Sequence, residues 1–225
     1  MARETEIKLR VEDVAALRKV LRRVGARTVA GGSGRVHEFN TLYDTPTQEV
    51  RAKDQLLRVR VETPALALRS RPAGRGSTKR KKRFVLTFKG PVKDSSAKAT
   101  INDRHFGRNH KVREELELEI GDPKEFGAIL ERLGMRESFH YEKFRTTFRM
   151  PESQRWAKGL LIELDETPVG NFVELEGPAK AIDRAAKLLG FSKNDYVLTN
   201  YLRLHAEECM KRGEKIGDML FRKRK

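Results

Sequence analysis

The chain has 225 residues and a formal net charge of +16, with 48 Lys and Arg against 32 Asp and Glu. This length is enough for one large domain or two small ones, and the positive charge indicates an anionic partner such as a phosphate compound or a nucleic acid. The single cysteine excludes an internal disulfide and a cysteine-rich zinc site. No apolar run approaches the roughly 20 residues that span a bilayer, so we expect a cytoplasmic protein without a membrane partner.

The first strand has a pattern that returns along the chain. Successive side chains of a strand point to opposite faces, so Glu4, Glu6 and Lys8 share one face while Ile7 and Leu9 take the other. Most of the later strands alternate ionised and apolar side chains in the same way. Strands are predicted over residues 3–9, 37–43, 55–62, 84–89, 112–120, 141–149, 160–166 and 171–176.

Amphipathic helices and polar loops separate these strands. Helices are predicted from Asp13 to Gly25, from Asp122 to Gly134, from Pro178 to Gly190, and from Asp195 through His205. Residues 64–83 break the strand pattern with prolines, glycines and a run of five basic residues, which predicts a long basic loop that is poorly ordered without ligand. A polar loop is expected at about 91–110 and a basic tail at 205–225.

Strands with one ionised and one apolar face need an environment for each. A sheet closed into a barrel turns the apolar faces outward beneath helices and the charged faces toward a hydrated interior. Such an interior requires balanced charges, because each buried unpaired charge costs several kcal/mol. The predicted lining is balanced, with carboxylates Glu4, Glu6, Glu115, Glu117, Asp165, Glu174 and Glu176, and cations Lys8, Arg58, Arg60, Lys89, Arg113, Lys143 and Arg145. The alternative is a set of salt-bridged, solvated surface strands.

A cavity that contains both charge types suits a polyphosphate with its metal. Carboxylates are hard oxygen ligands for Mg²⁺ or Mn²⁺, and Lys and Arg donate hydrogen bonds to phosphate oxygens. The set of residues is therefore typical of phosphoryl chemistry, in which positioning and charge neutralisation make the main contribution to catalysis.

The ordered motifs of the chain resemble those of a known family, the CYTH proteins or triphosphate tunnel metalloenzymes. Glu4-x-Glu6-x-Lys8 is similar to the family's ExExK signature at the N-terminus. The further matches, in order, are Tyr43-Asp44-Thr45, Leu57-Arg58-Val59-Arg60, Leu86-Thr87-Phe88-Lys89-Gly90-Pro91, Arg113-x-Glu115-x-Glu117, Lys143-x-Arg145, Leu164-Asp165, Gly170-Asn171-Phe172-Val173-Glu174-Leu175-Glu176 and Tyr201-Leu202.

The resemblance implies an α+β fold, with a closed antiparallel eight-stranded barrel and helices packed outside it, over residues 1–204. It implies a metal site for Mg²⁺ or Mn²⁺ formed by Glu4, Glu6, Glu117, Asp165, Glu174 and Glu176. It implies a triphosphate site formed by Lys8, Arg58, Arg60, Lys89, Arg113, Lys143 and Arg145. The residues that the resemblance places closest to the chemistry are Glu4, Glu6, Lys8 and Arg60.

Two reactions on a nucleoside, organic or inorganic triphosphate remain open at this point. A class IV adenylyl cyclase converts ATP to cyclic AMP and pyrophosphate, whereas a triphosphatase directs water at the terminal phosphorus. The motifs around Tyr43 and Lys89 look most like the cyclase branch, although similarity to a cyclase does not establish cyclase activity.

A non-catalytic module that binds polyphosphate or nucleic acid is the alternative. The basic loop and tail favour it, but aromatic residues for base stacking are not interleaved with the basic run, and the carboxylates would repel phosphate without a metal. The sequence is also compatible with a homodimer.

Overall fold

The computed structural model describes residues 3–29, 34–65, 82–92 and 110–222. Most of the predicted basic loop at 64–83 and of the polar loop at about 91–110 therefore lies outside the described residues. Within the described part of the chain, no helix is long and apolar enough to cross a membrane.

The predicted strands are all present, together with short elements that the pattern did not indicate. The strands are β1 (Arg3–Val11), β2 (Arg27–Thr28), β3 (Arg35–Asp44), β4 (Leu56–Pro64), β5 (Arg83–Lys89), β6 (Lys111–Glu119), β7 (Arg136–Arg149), β8 (Leu161–Thr167), β9 (Gly170–Glu176) and β10 (Tyr196–Val197). The helices of the described residues are α1 (Val14–Arg23), α2 (Glu49–Ala52), α3 (Pro123–Arg132), α4 (Ala179–Leu188) and α5 (Tyr201–Lys211), with single 3-10 turns at Arg155–Ala157 and Lys193–Asp195.

Eight of the strands close into an antiparallel barrel. Around the barrel the order is β1-β6-β5-β4-β3-β7-β8-β9, and β9 pairs with β1 to complete the circle. The two-residue strands add to this ring, β2 on β7 and β10 on β1. With helices in addition to the barrel, the α+β class and the barrel architecture predicted from the sequence are confirmed.

The apolar faces of several strands pack beneath two helices outside the barrel. Ile7 and Leu9 of β1 are buried in one cluster with Leu17 of α1 and Ile182 of α4. Helix α1 begins where predicted, because the Asp13 carboxylate accepts hydrogen bonds from the backbone amides of Ala15 and Ala16, at 2.8 and 2.9 Å. These outer contacts leave the opposite faces of the strands to line the interior.

The third helix covers the barrel less completely than the sequence predicts. Leu130 of α3 is buried against Tyr43 and Val59, but Ile129 and Leu133, which share the predicted apolar face of the helix, are 53% and 73% exposed. A ten-residue helix that contacts the barrel through one row of side chains leaves its neighbouring rows in solvent.

The C-terminal part of the chain differs in detail from the prediction. Asn200, not Asp195, caps the last helix, with its side chain accepting from the Arg203 amide at 2.9 Å. The helix continues to Lys211, and Met219 is fully buried, with its backbone paired to that of β7. Residues of the predicted basic tail thus pack on the barrel, because one edge of β7 lacks a neighbouring strand at this point and offers free backbone groups.

Candidate functional site

The interior of the barrel contains one large cavity of about 860 Å³. All of the predicted lining residues contribute to its wall except Asp165. The ionised faces of the strands therefore point inward, as the sequence predicted, and the alternative of a solvated surface sheet is wrong.

The acidic wall is built by the pairing of β1 with β9 and β6. The register sets Glu6 opposite Glu176 and Lys8 opposite Glu174, while Glu4 lies opposite Arg113. Each of three carboxylates contacts a lysine: Glu4 with Lys89 at 2.6 Å, Glu6 with Lys111 at 2.8 Å, and Glu174 with Lys8 at 2.8 Å. Because the carboxylates are turned toward cations, no three acidic, imidazole or thiolate groups of the described residues converge on one point that could hold a metal.

The pKa values of two neighbouring carboxylates of this wall are shifted in opposite directions. Burial raises the pKa of Glu4 to about 8, since Glu6 and Glu115 add negative charge and Lys89 only partly offsets it. Burial also disfavours the ionised form of Glu6, but Lys111 and Lys8 overcome this and lower its pKa to about 2. Burial raises the pKa of Glu176 as well, with Glu115 nearby. The wall therefore carries more carboxylate than its cations neutralise.

The opposite wall carries a cluster of four cations. Arg58 and Arg60 come from β4, and Lys143 and Arg145 come from β7. All four line the cavity, and Arg58, Arg60 and Lys143 are at most 9% exposed. Arginine and lysine can only donate hydrogen bonds, so this wall is a surface of donors for an anion.

Asp165 lies beneath the cationic wall and not on it. It is fully buried, and its two oxygens accept from Arg145 (Nε and Nη2, both at 2.7 Å), from Lys143 at 2.7 Å and from the Tyr201 hydroxyl at 2.8 Å. Three of the four donors contact Oδ2 and one contacts Oδ1, and Asp165 does not line the cavity. This geometry favours a role in holding Lys143 and Arg145 in place over the predicted role as a metal ligand.

The remaining predicted residues also reach the cavity. Lys89 lies between Glu4 and Glu115, at 3.1 Å from the latter. Arg113 lines the mouth, where its guanidinium is 3.7 Å from Asp54. Glu117 accepts from the Thr87 hydroxyl at 3.0 Å, and its side chain is 43% exposed.

The ionised lining residues that the sequence prediction did not select include Glu38, Lys111 and Glu163. Glu38 is 2% exposed within the cationic wall, 3.4 Å from Arg60 and 3.6 Å from Lys143. Burial opposes its ionisation, but Arg60, Lys143 and Arg145 lower its pKa to about 2. Its strand lacks a run of alternating charge, so only the pairing of β3 with β7 reveals it. Lys111 was not selected because the sequence prediction placed it at the boundary between the polar loop and the next strand.

Glu163 was placed on the correct face of its strand but was not selected as a site residue. It contacts Arg145 and accepts from Thr147 at 3.3 Å. Burial raises the pKa of Glu163 to about 7, with Asp165 and Glu174 adding to the effect of burial against the opposing charge of Arg145.

Known proteins and a family model resemble this chain over most of its length. The CYTH domain model matches residues 2–196. A candidate adenylate cyclase of Methanocaldococcus jannaschii is 22% identical over 206 residues, covering 89% of this chain and 97% of the relative.

Solved structures share the fold. A candidate adenylate cyclase of Vibrio parahaemolyticus has a TM-score of 0.65 at 17% identity and covers 90% of this chain and 97% of its own. A protein of Pyrococcus horikoshii, PH1819, has a TM-score of 0.62 at 22% identity, covering 91% and 99%. A candidate adenylyl cyclase of Hippeastrum, described as having a dominant triphosphatase activity, has a TM-score of 0.53 at 20% identity, covering 94% and 97%.

The chain thus folds as a closed antiparallel barrel with an ionised interior and helices outside. With the family model matching nearly the whole chain, this protein belongs to the CYTH domain family.

Proposed function

We propose that this protein binds a triphosphate together with a divalent cation, Mg²⁺ or Mn²⁺, inside the barrel and cleaves it. The observation that carries the proposal is the division of one cavity into a cationic wall and a wall with excess carboxylate. A metal-chelated triphosphate has anionic oxygens for the first wall and a cation for the second. The names of the relatives from M. jannaschii and Hippeastrum agree with a triphosphate substrate.

In this proposal the cationic wall binds and orients the phosphates. Arg58, Arg60, Lys143 and Arg145 present their N–H groups to the cavity, and Lys8 and Lys89 extend this set toward the acidic wall. The buried Asp165 and Glu38 hold several of these cations in fixed positions. Pre-positioned donors stabilise the charge of a phosphoryl transition state without reorganisation at the moment of reaction.

The donor chemistry of the acidic wall fits a divalent cation, although its carboxylates face lysines and do not converge on one point in this structure. Glu4, Glu6, Glu174 and Glu176 are hard oxygen donors on adjacent, paired strands. Burial and the neighbouring carboxylates raise the pKa values of Glu4 and Glu176, and a divalent cation would stabilise the ionised form of both. When bound, the ion would neutralise phosphate charge and polarise the reacting phosphoryl group.

The two reactions place the nucleophile differently on the same bound phosphates. In the cyclase reaction the ribose 3′-oxygen attacks the α-phosphorus and pyrophosphate leaves. In the triphosphatase reaction water attacks the terminal phosphorus, the diphosphate part of the substrate is the leaving group, and the attacked phosphorus is released as orthophosphate. A cavity of about 860 Å³ lies in the range of about 300–1,000 Å³ that is usual for small-molecule sites, so it is large enough for an organic group beside the phosphates. The cavity therefore has room for a nucleoside or other organic triphosphate as well as for inorganic triphosphate.

The experiment that tests the proposal is a substrate panel of ATP, thiamine triphosphate and inorganic triphosphate with Mg²⁺, with Mn²⁺ and with EDTA. We expect turnover of at least one compound with metal and none with EDTA. Cyclic nucleotide with pyrophosphate would assign the cyclase reaction, and orthophosphate the triphosphatase reaction. Undiminished turnover in EDTA, or no turnover of any member of the panel, would contradict the proposal.

Lys8→Met provides the matched test of the site. A hydrogen bond to a charged group contributes about 1.5–3 kcal/mol, so the loss of the ammonium should raise Kd or KM for the triphosphate about 10- to 150-fold. The fold should persist, because Glu174 keeps its contact with Arg145. Lys193→Met is the control: that side chain is 49% exposed and pairs with Asp183, and it does not line the cavity. Equal affinities for the two variants would show that Lys8 does not contact the substrate.

A further inference from the structure

Tyr141 of β7 is an uncharged donor in the middle of the cationic wall. It lines the cavity and is 6% exposed. Its hydroxyl oxygen is 3.1 Å from Nη1 of Arg58, and its ring packs near Phe139 and Tyr201, with ring centroids at 6.1 and 6.4 Å. The ring is therefore held by apolar neighbours while the hydroxyl faces the cations.

The direction of the hydrogen bonds around Arg58 follows from their chemistry. Because a guanidinium only donates, the Tyr141 oxygen must accept from Nη1, and the Thr87 oxygen must accept from Nη2 at 3.0 Å. Thr87 then gives its own hydrogen to Glu117 at 3.0 Å. Tyr141 has no corresponding acceptor within the described part of the chain, where the one hydrogen bond of its hydroxyl is the bond that it accepts from Arg58. Because Tyr141 lines the cavity, its hydroxyl hydrogen is free to rotate toward an acceptor that enters there.

The surrounding charges strengthen Tyr141 as a donor. Burial opposes ionisation of the phenol, but Arg58, Lys143 and Arg60 outweigh burial and lower the pKa of Tyr141. A more acidic hydroxyl forms a stronger hydrogen bond to an anionic oxygen. By contrast, burial and the negative charges of Asp165 and Glu174 raise the pKa of Tyr201, and the Tyr201 hydroxyl already donates to Asp165.

We propose that Tyr141 donates a hydrogen bond from its hydroxyl to a phosphoryl oxygen of the bound triphosphate, held in the donating orientation by Arg58. This inference rests on the proposed function, since it requires a triphosphate in the cavity. The hydrogen stays on the phenol oxygen, and no proton is transferred. Unlike the lysines and arginines, Tyr141 adds a directional contact without adding charge. It therefore favours a substrate with a phosphoryl oxygen at one position, and its contribution does not depend on the charge of the wall.

The test compares Tyr141→Phe with Tyr196→Phe and wild type. Phenylalanine keeps the ring contacts and removes only the hydroxyl. The Tyr196 hydroxyl donates to Asp183 at 3.0 Å and does not line the cavity, so it controls for the loss of any tyrosine hydroxyl. Loss of one donor to a developing oxyanion lowers kcat by about 10²–10³, and we expect a loss of at least tenfold in kcat/KM for Tyr141→Phe. The variant should remain folded, with Tm lowered only by the loss of the hydrogen bond from Arg58.

A binding measurement separates this inference from the proposed function. The probe is bis-methylene triphosphate, in which CH₂ replaces both bridging oxygens, titrated calorimetrically with Mg²⁺ present. We expect wild type and Tyr196→Phe to bind it equally and Tyr141→Phe to bind it several-fold more weakly. If wild type neither binds the probe nor turns over a triphosphate, the proposed function fails.

If wild type does bind and react but Tyr141→Phe matches it in Kd and kcat/KM, the function stands and the role of Tyr141 is overturned. Unfolding of Tyr141→Phe would overturn it as well. Because the ring contacts are kept, a folding defect would mean that the hydroxyl serves Arg58 and not the substrate.

Discussion

Glu4 and Glu6 lie two residues apart on one face of one strand, and the pKa of the first is about 8 while that of the second is about 2. The difference comes from their neighbours. Glu6 has Lys111 and Lys8 close by, whereas Glu4 shares Lys89 with Glu115. Identical side chains in one motif therefore differ in charge near neutral pH, because their neighbours differ.

The raised pKa of Glu4 makes stability depend on pH in a defined window. Between the ordinary value of 4.5 and about 8, the folded protein keeps a proton that the unfolded chain releases, so this contribution to stability is present at low pH and is lost as pH rises through that interval. Glu163 acts in the same direction up to about 7. The lowered pKa values of Glu6 and Glu38 act only as pH falls from 4.5 toward 2.

We therefore predict that Glu4→Gln flattens the pH dependence of stability between pH 5.5 and 8.5. Relative to wild type, the glutamine variant should gain on the order of 2–4 kcal/mol between the two pH values, given about 1.36 kcal/mol for each unit of pKa shift. Chemical denaturation at both pH values measures this, with the exposed Glu12→Gln as control. In wild type, Mg²⁺ should raise Tm more at pH 8.5 than at pH 5.5. Parallel pH profiles for Glu4→Gln and wild type would contradict the prediction.

At the scale of the elements, the end of β9 is fixed by a glycine. Gly177 has φ +140°, and its amide donates to Thr5 of β1 at 3.0 Å, which ties the strand that carries Glu174 and Glu176 to the strand that carries Glu4 and Glu6. A Cβ atom at this position would lie 2.5 Å from the carbonyl oxygen of Gly159. Backbone cannot yield as a flexible side chain does, so the acidic wall depends on this close approach.

Gly177→Ala should therefore destabilise the protein by about 2–4 kcal/mol, combining backbone strain with a steric clash. Gly190→Ala is the matched control, because Gly190 also has a positive φ, +91°, but a Cβ there would meet nothing within 4 Å; its cost should be about 1–2 kcal/mol. Urea denaturation compares the two variants. Equal losses would show that only the dihedral angle, and not the contact with Gly159, constrains the end of β9.

At the scale of the whole molecule, the sequence that connects β4 and β5 is strongly basic. The strands end at Pro64 and begin again at Arg83, and Arg83 pairs with Glu62 at 3.5 Å and with Glu119 at 3.0 Å. The connecting sequence, 66–82, contains seven Lys and Arg and no acidic residue. Such a charge raises the encounter rate with an anionic substrate, and salt screens the effect.

Replacing residues 66–82 with a short Gly-Ser linker should lower kcat/KM at low salt and leave kcat nearly unchanged. At about 0.5 M salt, where screening acts within a few ångströms, the difference from wild type should disappear. Steady-state kinetics at the two ionic strengths measure both constants. A fall in kcat that persists at high salt would instead assign a catalytic contact to the connection.

The sequence by itself determined which side chains face the interior. Alternation along a strand is a local property of the backbone, with a period of two residues, so charged stripes such as Glu4-x-Glu6-x-Lys8 and Lys143-x-Arg145 indicated the lining without knowledge of their partners. The helix boundaries at Asp13 and Gly25 were equally local, since capping depends on neighbouring residues. The closed barrel followed because one ionised face per strand has few other stable solutions.

Only the tertiary structure decided which charges meet. Lys111 contacts Glu6 across 105 positions of the chain, and Tyr201 reaches Asp165 from a helix outside the barrel. The register of antiparallel strands sets these contacts, and it depends on pairings that local periodicity does not encode. For the same reason, the position of Glu38 within the cationic wall and of Asp165 beneath it depends on the pairing of β7 with β3 and with β8.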